Sequence, residues 1–218
     1  MNRLVLLIFI VILASLFVLS GCSEQSGKNK EYSSADTINK ELNKSMENAI
    51  NKLVPTILTA DIIDKTPDDQ LVQTVADNLF SRIPQDGQKM YETVLTFNKA
   101  QQAIFVIWCL DGEVNNGGFN QFYFNSTGQF APLMPNALQL IGANKYADVV
   151  RQANKIYETK YDKITKDQDG TLDGFSKSYD DNPLNDLDHA FYALDKAEDL
   201  QRLQIDFIRK NKKDFITK

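Results

Sequence analysis

Apolar side chains recur at helical spacing along most of this chain, and this periodicity constrains the fold more than any other feature. The alternating pattern of a half-buried strand is scarce. Between Ala103 and Leu110 the sequence is apolar on every side, and a helix of that kind is normally surrounded by others. We therefore predict one compact all-α domain of several helices around a central helix from Lys89 to Asp111. A buried strand is the alternative for the short apolar run.

Signals for the start of helices divide the rest of the chain. Thr66 and Pro67 precede two acids, which predicts a hydroxyl N-cap and a proline at the first helical position. Asn182 and Pro183 predict the same arrangement later in the chain. Turns are predicted at residues 84–87 and 167–171. Amphipathic periodicity predicts further helices from Ile38 to Leu53, Pro67 to Leu79, Tyr146 to Ile164 and Pro183 to Phe207.

The N-terminus has the organisation of a bacterial export signal. One cation, Arg3, precedes an apolar stretch from Leu4 to Leu19, whose length lies near the boundary between a signal peptide and a membrane-spanning anchor. The next residues decide between them, because Leu19-Ser20-Gly21-Cys22 resembles a lipobox. This resemblance implies cleavage before Cys22, a diacylglyceryl thioether on its sulfur and usually an amide-linked acyl chain. Two such chains anchor a protein stably in a bilayer.

Three segments follow from this interpretation. Residues 1–21 are the predicted signal peptide, residues 22–36 the lipidated cysteine and a polar, flexible tether, and residues 37–218 the helical domain. We expect the protein to lie in the cell envelope, bound to a lipid bilayer through Cys22 and facing outside the cytoplasm.

The acidity of the chain is concentrated in one segment. Without residues 1–21 the side chains carry 23 cations and 29 acids, which argues against nonspecific binding of nucleic acid. Residues 161–199 hold eleven acids and four lysines, a net charge of −7, whereas residues 200–218 have a net charge of +4. The sequence therefore predicts an uneven, partly acidic surface.

Residues for catalysis or metal binding are few. His189 is the only histidine, and Cys109 lies in the apolar run, where a thiol is usually buried and inert. No signature of a serine hydrolase, phosphate loop or dinucleotide site is present. Asp167 to Asp173 resembles part of a calcium loop, but Thr165 and Ser176 occupy the positions where strong acidic ligands are needed. We predict a non-enzymatic protein without cofactor or metal.

The least ordinary stretch runs from Asn115 to Gly128. Its two asparagines and two glycines allow a tight turn with positive φ, or a close approach of the backbone. Phe119, Phe122 and Tyr123 then share one face of a short helix, which residues 125–128 end. We interpret the turn as structural, letting these rings and Phe124 pack onto the central helix. The alternative is a pocket or partner site, whose exposed amides would hold an anion.

Two motifs resemble one known family. The Asn-Gly-Gly-Phe-x-Gln-Phe-x-Phe-Asn stretch and the later run from Ser178 to Asp188, followed by Phe191-Tyr192, look like the domain named after DNA-mimic protein nineteen, a domain of unknown function. The resemblance covers about residues 89–203. It implies an all-α fold and, in the founding member, an acidic surface that imitates DNA and captures a DNA-binding protein. It supplies no catalytic residues.

The predicted export and modest acidity favour the interaction role without the DNA mimicry. We expect a membrane-anchored, non-catalytic module that binds a protein partner, with an inhibitor or immunity role as a specific version. The alternative is a small-ligand binder or hydrolase with a pocket at Asn115–Gln121. The candidate binding residues are Asn115, Asn116, Gly117, Gly118, Phe119, Gln121, Asp180, Asp181, Asp186 and Asp188.

Overall fold

The computed structural model describes residues 57–84 and 89–217. Contacts within the chain divide it into residues 1–48 and 49–218, and every described residue belongs to the second unit. That part is all-α, as predicted, and contains no strand. Its α-helices are α1 (Ala60–Lys65), α2 (Asp68–Phe80), α3 (Met90–Thr96), α4 (Lys99–Phe124), α5 (Met134–Ile141), α6 (Asn144–Thr159), α7 (Tyr161–Thr165), α8 (Leu172–Lys177), α9 (Asn185–Ala193) and α10 (Leu200–Lys210).

Several predictions lie outside the described residues. These are the signal peptide, the lipobox with Cys22, the tether, the helix from Ile38 to Leu53 and most of the turn at 84–87. In the described ranges no helix has both the length and the apolar composition needed to cross a membrane.

Helix α4 forms the centre of the domain. It packs against α2, α3, α5 and α9, and α6 covers α5 and α9. The apolar run from Ala103 to Leu110 is buried within it, with only Trp108 partly exposed. Each fully buried Ile, Leu or Phe side chain there contributes roughly 1.5–3 kcal/mol to stability. The helical interpretation of this run is confirmed and the strand alternative is wrong.

The predicted bounds of the central helix are wrong at both ends. Phe97 has an extended backbone, and the Asn98 side chain accepts the N–H of Gln101 at 2.9 Å, so a new helix begins at Lys99. The Asn98 amide also donates to the Asp214 carbonyl at 2.7 Å. This cap explains why the helical pattern before residue 98 belongs to the separate helix α3.

Two predicted helix starts are also corrected. Thr66 does not cap α2: its hydroxyl donates back to the Ile62 carbonyl at 2.6 Å, and Pro67 takes the N-cap position. Asn182 does not cap a helix that starts at Pro183. Its side-chain oxygen accepts the Leu184 N–H at 3.0 Å in a local turn, and α9 begins at Asn185.

The remaining long patterns divide into shorter helices. A break at Lys160 separates α6 from α7, so the continuous helix from Tyr146 to Ile164 is not formed. The last region divides into α9 and α10, and the side chain of Asp199 caps α10. The predicted turn at 167–171 is confirmed, with Gly170 at φ 85°.

The first and last described segments lie side by side. The Thr217 N–H donates to the Leu58 carbonyl at 2.9 Å, and the Leu58 N–H donates to the Thr217 hydroxyl at 3.2 Å. Leu58 is buried, as is Phe215 two residues before Thr217. These bonds attach the end of the described chain to its beginning.

Candidate functional site

The two glycines of the unusual motif form a kink inside α4. Gly117 has φ −156° and ψ 28°, and Gly118 has φ 69° and ψ −174°. The second conformation is reached essentially only by glycine. The predicted positive φ is therefore confirmed, but the motif bends one helix and does not connect two elements.

The kink removes regular helical hydrogen bonds, and side chains of the second motif replace them. The Tyr192 hydroxyl donates to the Val114 carbonyl at 2.6 Å, and the Tyr179 hydroxyl donates to the Gly117 carbonyl at 3.0 Å. The Phe119 N–H donates to the Asp188 carboxylate at 2.7 Å. Buried backbone groups need such partners. The two motifs that looked separate in the sequence therefore form one structure.

Asp188 closes the kink from the side of α9. Its carboxylate lies where a side chain at Gly118 would be, so any larger residue there would collide with it. It also lies at the start of the second part of α4, where the helix dipole favours negative charge. Burial raises the pKa of Asp188, opposed by the Phe119 N–H and by the nearby His189. The sequence left open an external anion at these amides; at the Phe119 N–H the chain supplies its own carboxylate.

A buried carboxylate, Glu113, organises the inner side of the kink. It is only 3% exposed. It accepts hydrogen bonds from the Gln121 amide at 2.7 Å, the Asn125 amide at 2.7 Å and the Thr127 hydroxyl at 2.9 Å. The Gln121 side-chain oxygen in turn accepts the Asn116 amide at 2.9 Å. Glu113 is thus held by neutral donors that join the kink to the end of α4.

A second polar cluster joins the kink to the segment after α8. Asn120 is fully buried. Its amide donates to the Ser178 hydroxyl at 2.7 Å, and its oxygen accepts from Asn182 at 3.1 Å and Gln168 at 3.2 Å. Sequence reasoning missed both Asn120 and Glu113. The available signal was a polar residue at helical spacing from apolar ones, as Glu113 is from Leu110.

The aromatic residues after the kink divide between core and surface. Phe119, Phe122 and Tyr123 are buried, as the shared helical face predicted. Tyr123 stacks on Tyr157 with ring centroids 4.0 Å apart. Phe124 was predicted to pack onto the central helix, and this is wrong: it is 43% exposed.

The family model of the DMP19-like protein matches residues 96–211. This range is more than half of the chain and contains the kink together with the segments that close it. The chain belongs to the DMP19-like protein family. A comparison with curated proteins finds no match. The match includes α10, which the sequence resemblance over about 89–203 covered only in part.

Several acids of the DMP19-like domain are used inside the fold. The Glu198 carboxylate accepts the backbone N–H groups of Lys145 and Tyr146 at 3.0 and 3.2 Å, at the start of α6. Asp199 caps α10 through the Arg202 N–H at 2.8 Å. Together with Asp188, these side chains stabilise helix N-termini, where negative charge is favourable. Part of the predicted acidic surface is therefore structural.

The candidate aspartates before α9 differ in their surroundings. Asp181 forms an exposed ion pair with Lys163 at 2.7 Å and has a positive φ of 51°. This ion pair lowers the pKa of Asp181, first through the hydrogen bond. Asp180 and Asp186 are exposed, and neither side chain has a hydrogen bond or ion pair within the described part of the chain. The four candidate aspartates therefore differ in their contacts: Asp188 closes the kink, Asp181 is paired with Lys163, and Asp180 and Asp186 are exposed.

The residues considered for catalysis or metal binding lie in the following surroundings in the described part of the DMP19-like domain. Cys109 is buried, and burial raises the pKa of its thiol, with Glu113 adding to the effect. No group of three or more His, Cys, Asp or Glu side chains within residues 57–84 and 89–217 is arranged to hold a metal ion. In the calcium-like loop, Asp169 accepts hydrogen bonds from the Thr171 N–H at 2.9 Å and hydroxyl at 2.6 Å.

Proposed function

We propose that this DMP19-like domain is a non-catalytic binding module that engages a protein partner through its acidic segment, residues 161–199. We further propose that acylated Cys22 holds it at a bacterial membrane, outside the cytoplasm. The lipobox supports the anchor, and the pattern of used and unused acids supports the binding role.

The unused acids carry the proposal. Once helix caps and ion pairs are set aside, four exposed aspartates remain whose carboxylates have no hydrogen bond or ion pair in the described chain: Asp162, Asp180, Asp186 and Asp195. Their charges are exposed to solvent and are not neutralised by a direct ion pair within the described chain. Such charges attract positively charged partners and raise the rate of association.

A ligand pocket at Asn115–Gln121 has less support. The Asn115 amide donates to the Asp111 carbonyl and carboxylate, both at 2.8 Å, and Asn116 binds Gln121. The Phe119 N–H already donates a hydrogen bond to the Asp188 carboxylate. The amides that would contact a ligand are therefore engaged within the fold.

The anchor is tested by labelling cells with a palmitate analogue. We expect the native chain to take up the label and to sediment with membranes. The Cys22→Ala variant should lose the label, whereas Cys109→Ala, at a buried cysteine, should keep it. Label retained in Cys22→Ala would contradict the lipid anchor.

The partner role is tested by crosslinking on intact cells with the anchored protein. We expect a specific crosslinked product that a double charge reversal, Asp180→Lys with Asp186→Lys, reduces strongly. Asp180 suits this test better than Asp181, whose reversal would also break the Lys163 ion pair and place lysine at a positive φ. Asp69→Lys, at an exposed acid of α2, is the control.

No product above background would contradict the binding role. A product that persists in the double variant would contradict the acidic segment as its site. The inhibitor or immunity version requires a partner with a basic functional site. It predicts a secreted toxin encoded by a neighbouring gene.

A further inference from the structure

An exposed apolar surface lies at α8, within the acidic segment. We name it the aromatic patch and define it as Phe124, Leu172, Phe175 and Tyr179. Leu172 is 64% exposed and lies one turn before Phe175 on the same face of α8. The Phe175 ring contacts Phe124 with centroids 4.8 Å apart and Tyr179 with centroids 5.3 Å apart.

Packing of the core does not account for the exposed positions of Phe124 and Leu172 in the aromatic patch. Phe122 and Tyr123 are buried, whereas their neighbour Phe124 turns toward Phe175 at the surface. Leu172 is the first residue of α8, directly after the N-cap Thr171. A polar residue would be tolerated at this first helical position. Large apolar side chains grouped at the surface often mark an interaction site.

The rim of the aromatic patch is negatively charged. Residues 163–181 contain five aspartates and three lysines, a net charge of −2. The three lysines are paired with Asp167, Asp173 and Asp181, whereas Asp180 is exposed with no ion pair in the described chain. Charge and apolar surface therefore occur together here.

We infer that the aromatic patch binds a basic, amphipathic protein segment, whose apolar side chains cover Leu172 and Phe124 while its Lys or Arg side chains meet the aspartate rim. This inference rests on the proposed function and names the surface and partner chemistry for it. Exposed aromatic rings favour such a partner further, because cations bind to ring faces. Anionic lipid and nucleic acid carry the wrong charge. The chain's own cationic α10 is a poorer occupant, since Arg202 and Arg209 are paired with Asp68.

The test measures binding of three fluorescently labelled synthetic helical peptides to the unlipidated chain from Ser23 onward, by anisotropy. The first peptide combines lysine and leucine on opposite faces, the second replaces its lysines with glutamate, and the third replaces its leucines with serine. We expect the first to bind and each of the others to bind at least about tenfold more weakly.

Variants of the protein test where on its surface the first peptide binds. Leu172→Ser, Phe124→Ser and Asp180→Lys should each weaken binding of the first peptide by about five- to tenfold. Leu140→Ser, at another exposed leucine, which is 48% exposed on α5, and Asp69→Lys should change it by less than about twofold. Circular dichroism confirms that each variant is folded.

Three results of the binding experiment would overturn the inference. The first peptide would not bind at all, the leucine-free peptide would bind equally well, or the first peptide would bind the patch variants and the control variants equally well. Self-association that Leu172→Ser abolishes would also overturn it, by making a second copy of this chain the occupant. In each case the crosslinking experiment with Asp180 and Asp186 still decides the proposed function independently.

Discussion

The kink of α4 and the aromatic patch use unusual residues in opposite ways. At the kink, the amides, hydroxyls and carboxylates bond to one another, as Glu113 does with its three donors. In the aromatic patch and on its rim, Leu172 and Asp180 face solvent. A distinctive motif can thus be fully used in folding, while the surface proposed for binding consists of ordinary residues beside it.

The largest expected effect tests whether the kink is structural. Glu113→Gln places an amide where two amide donors and a hydroxyl now point, so at least one buried donor loses its partner. We expect the free energy of unfolding to fall by about 3 kcal/mol, measured by urea denaturation. Glu92→Gln, at an exposed glutamate of α3, is the control. If the two variants were equally stable, the bonds of Glu113 would not stabilise the fold, and the kink would not differ from the aromatic patch in this respect.

Gly118→Ala tests the close approach of Asp188. Alanine there has both a strained backbone, at φ 69°, and a collision with the carboxylate. We expect a loss of about 2 kcal/mol. Gly170→Ala is a matched control, because Gly170 also has positive φ, at 85°, but open space around it. The difference between the two variants measures the cost of the collision together with that of the ψ of −174° at Gly118, and no difference would argue against both.

A pH titration tests Asp111, which lies one helical turn before Asn115. Burial raises the pKa of Asp111 to about 6, opposed by the Asn115 hydrogen bond and reinforced by Asp195. In the unfolded chain the pKa is near 3.9. Between these values the folded state binds more protons, so the stability that Asp111 contributes falls as pH rises from about 4 to 6.

Asp111→Asn should remove this loss. Relative to the native chain, the variant should become more stable by about 1–2 kcal/mol as pH rises from about 4 to 7. Urea denaturation of both proteins across this range measures the difference. A difference that does not change with pH would show that Asp111 is charged equally in both states.

The smallest effects on stability are expected in the aromatic patch and on its rim. Leu172→Ser and Asp180→Lys should each change the free energy of unfolding by less than about 0.5 kcal/mol, because neither side chain has a buried role. Thermal unfolding measures this. A loss of stability as large as that of Gly118→Ala would show that these side chains contribute to the core. The contrast between the kink and the aromatic patch would then not hold.

The helical class was predictable because periodicity reflects which faces are buried, as in the run from Ala103 to Leu110. Helix ends were less predictable, since Asn98 and Thr66 can each cap or end a helix and tertiary contacts decide between these roles. The roles of the site residues depended on pairing across the fold. Asp188 and Phe119 are 69 positions apart, and nothing local to either residue indicates the other.

The bonds between Leu58 and Thr217 have a mechanical consequence. A load applied to the chain before Leu58, in the direction away from the domain, reaches the C-terminal segment through the Thr217 N–H and hydroxyl. The load is then shared by the first and last segments of the described chain, and these two hydrogen bonds should break before any within α4. A pull at Leu58 would thus reach the residues around Thr217 before it reaches the kink.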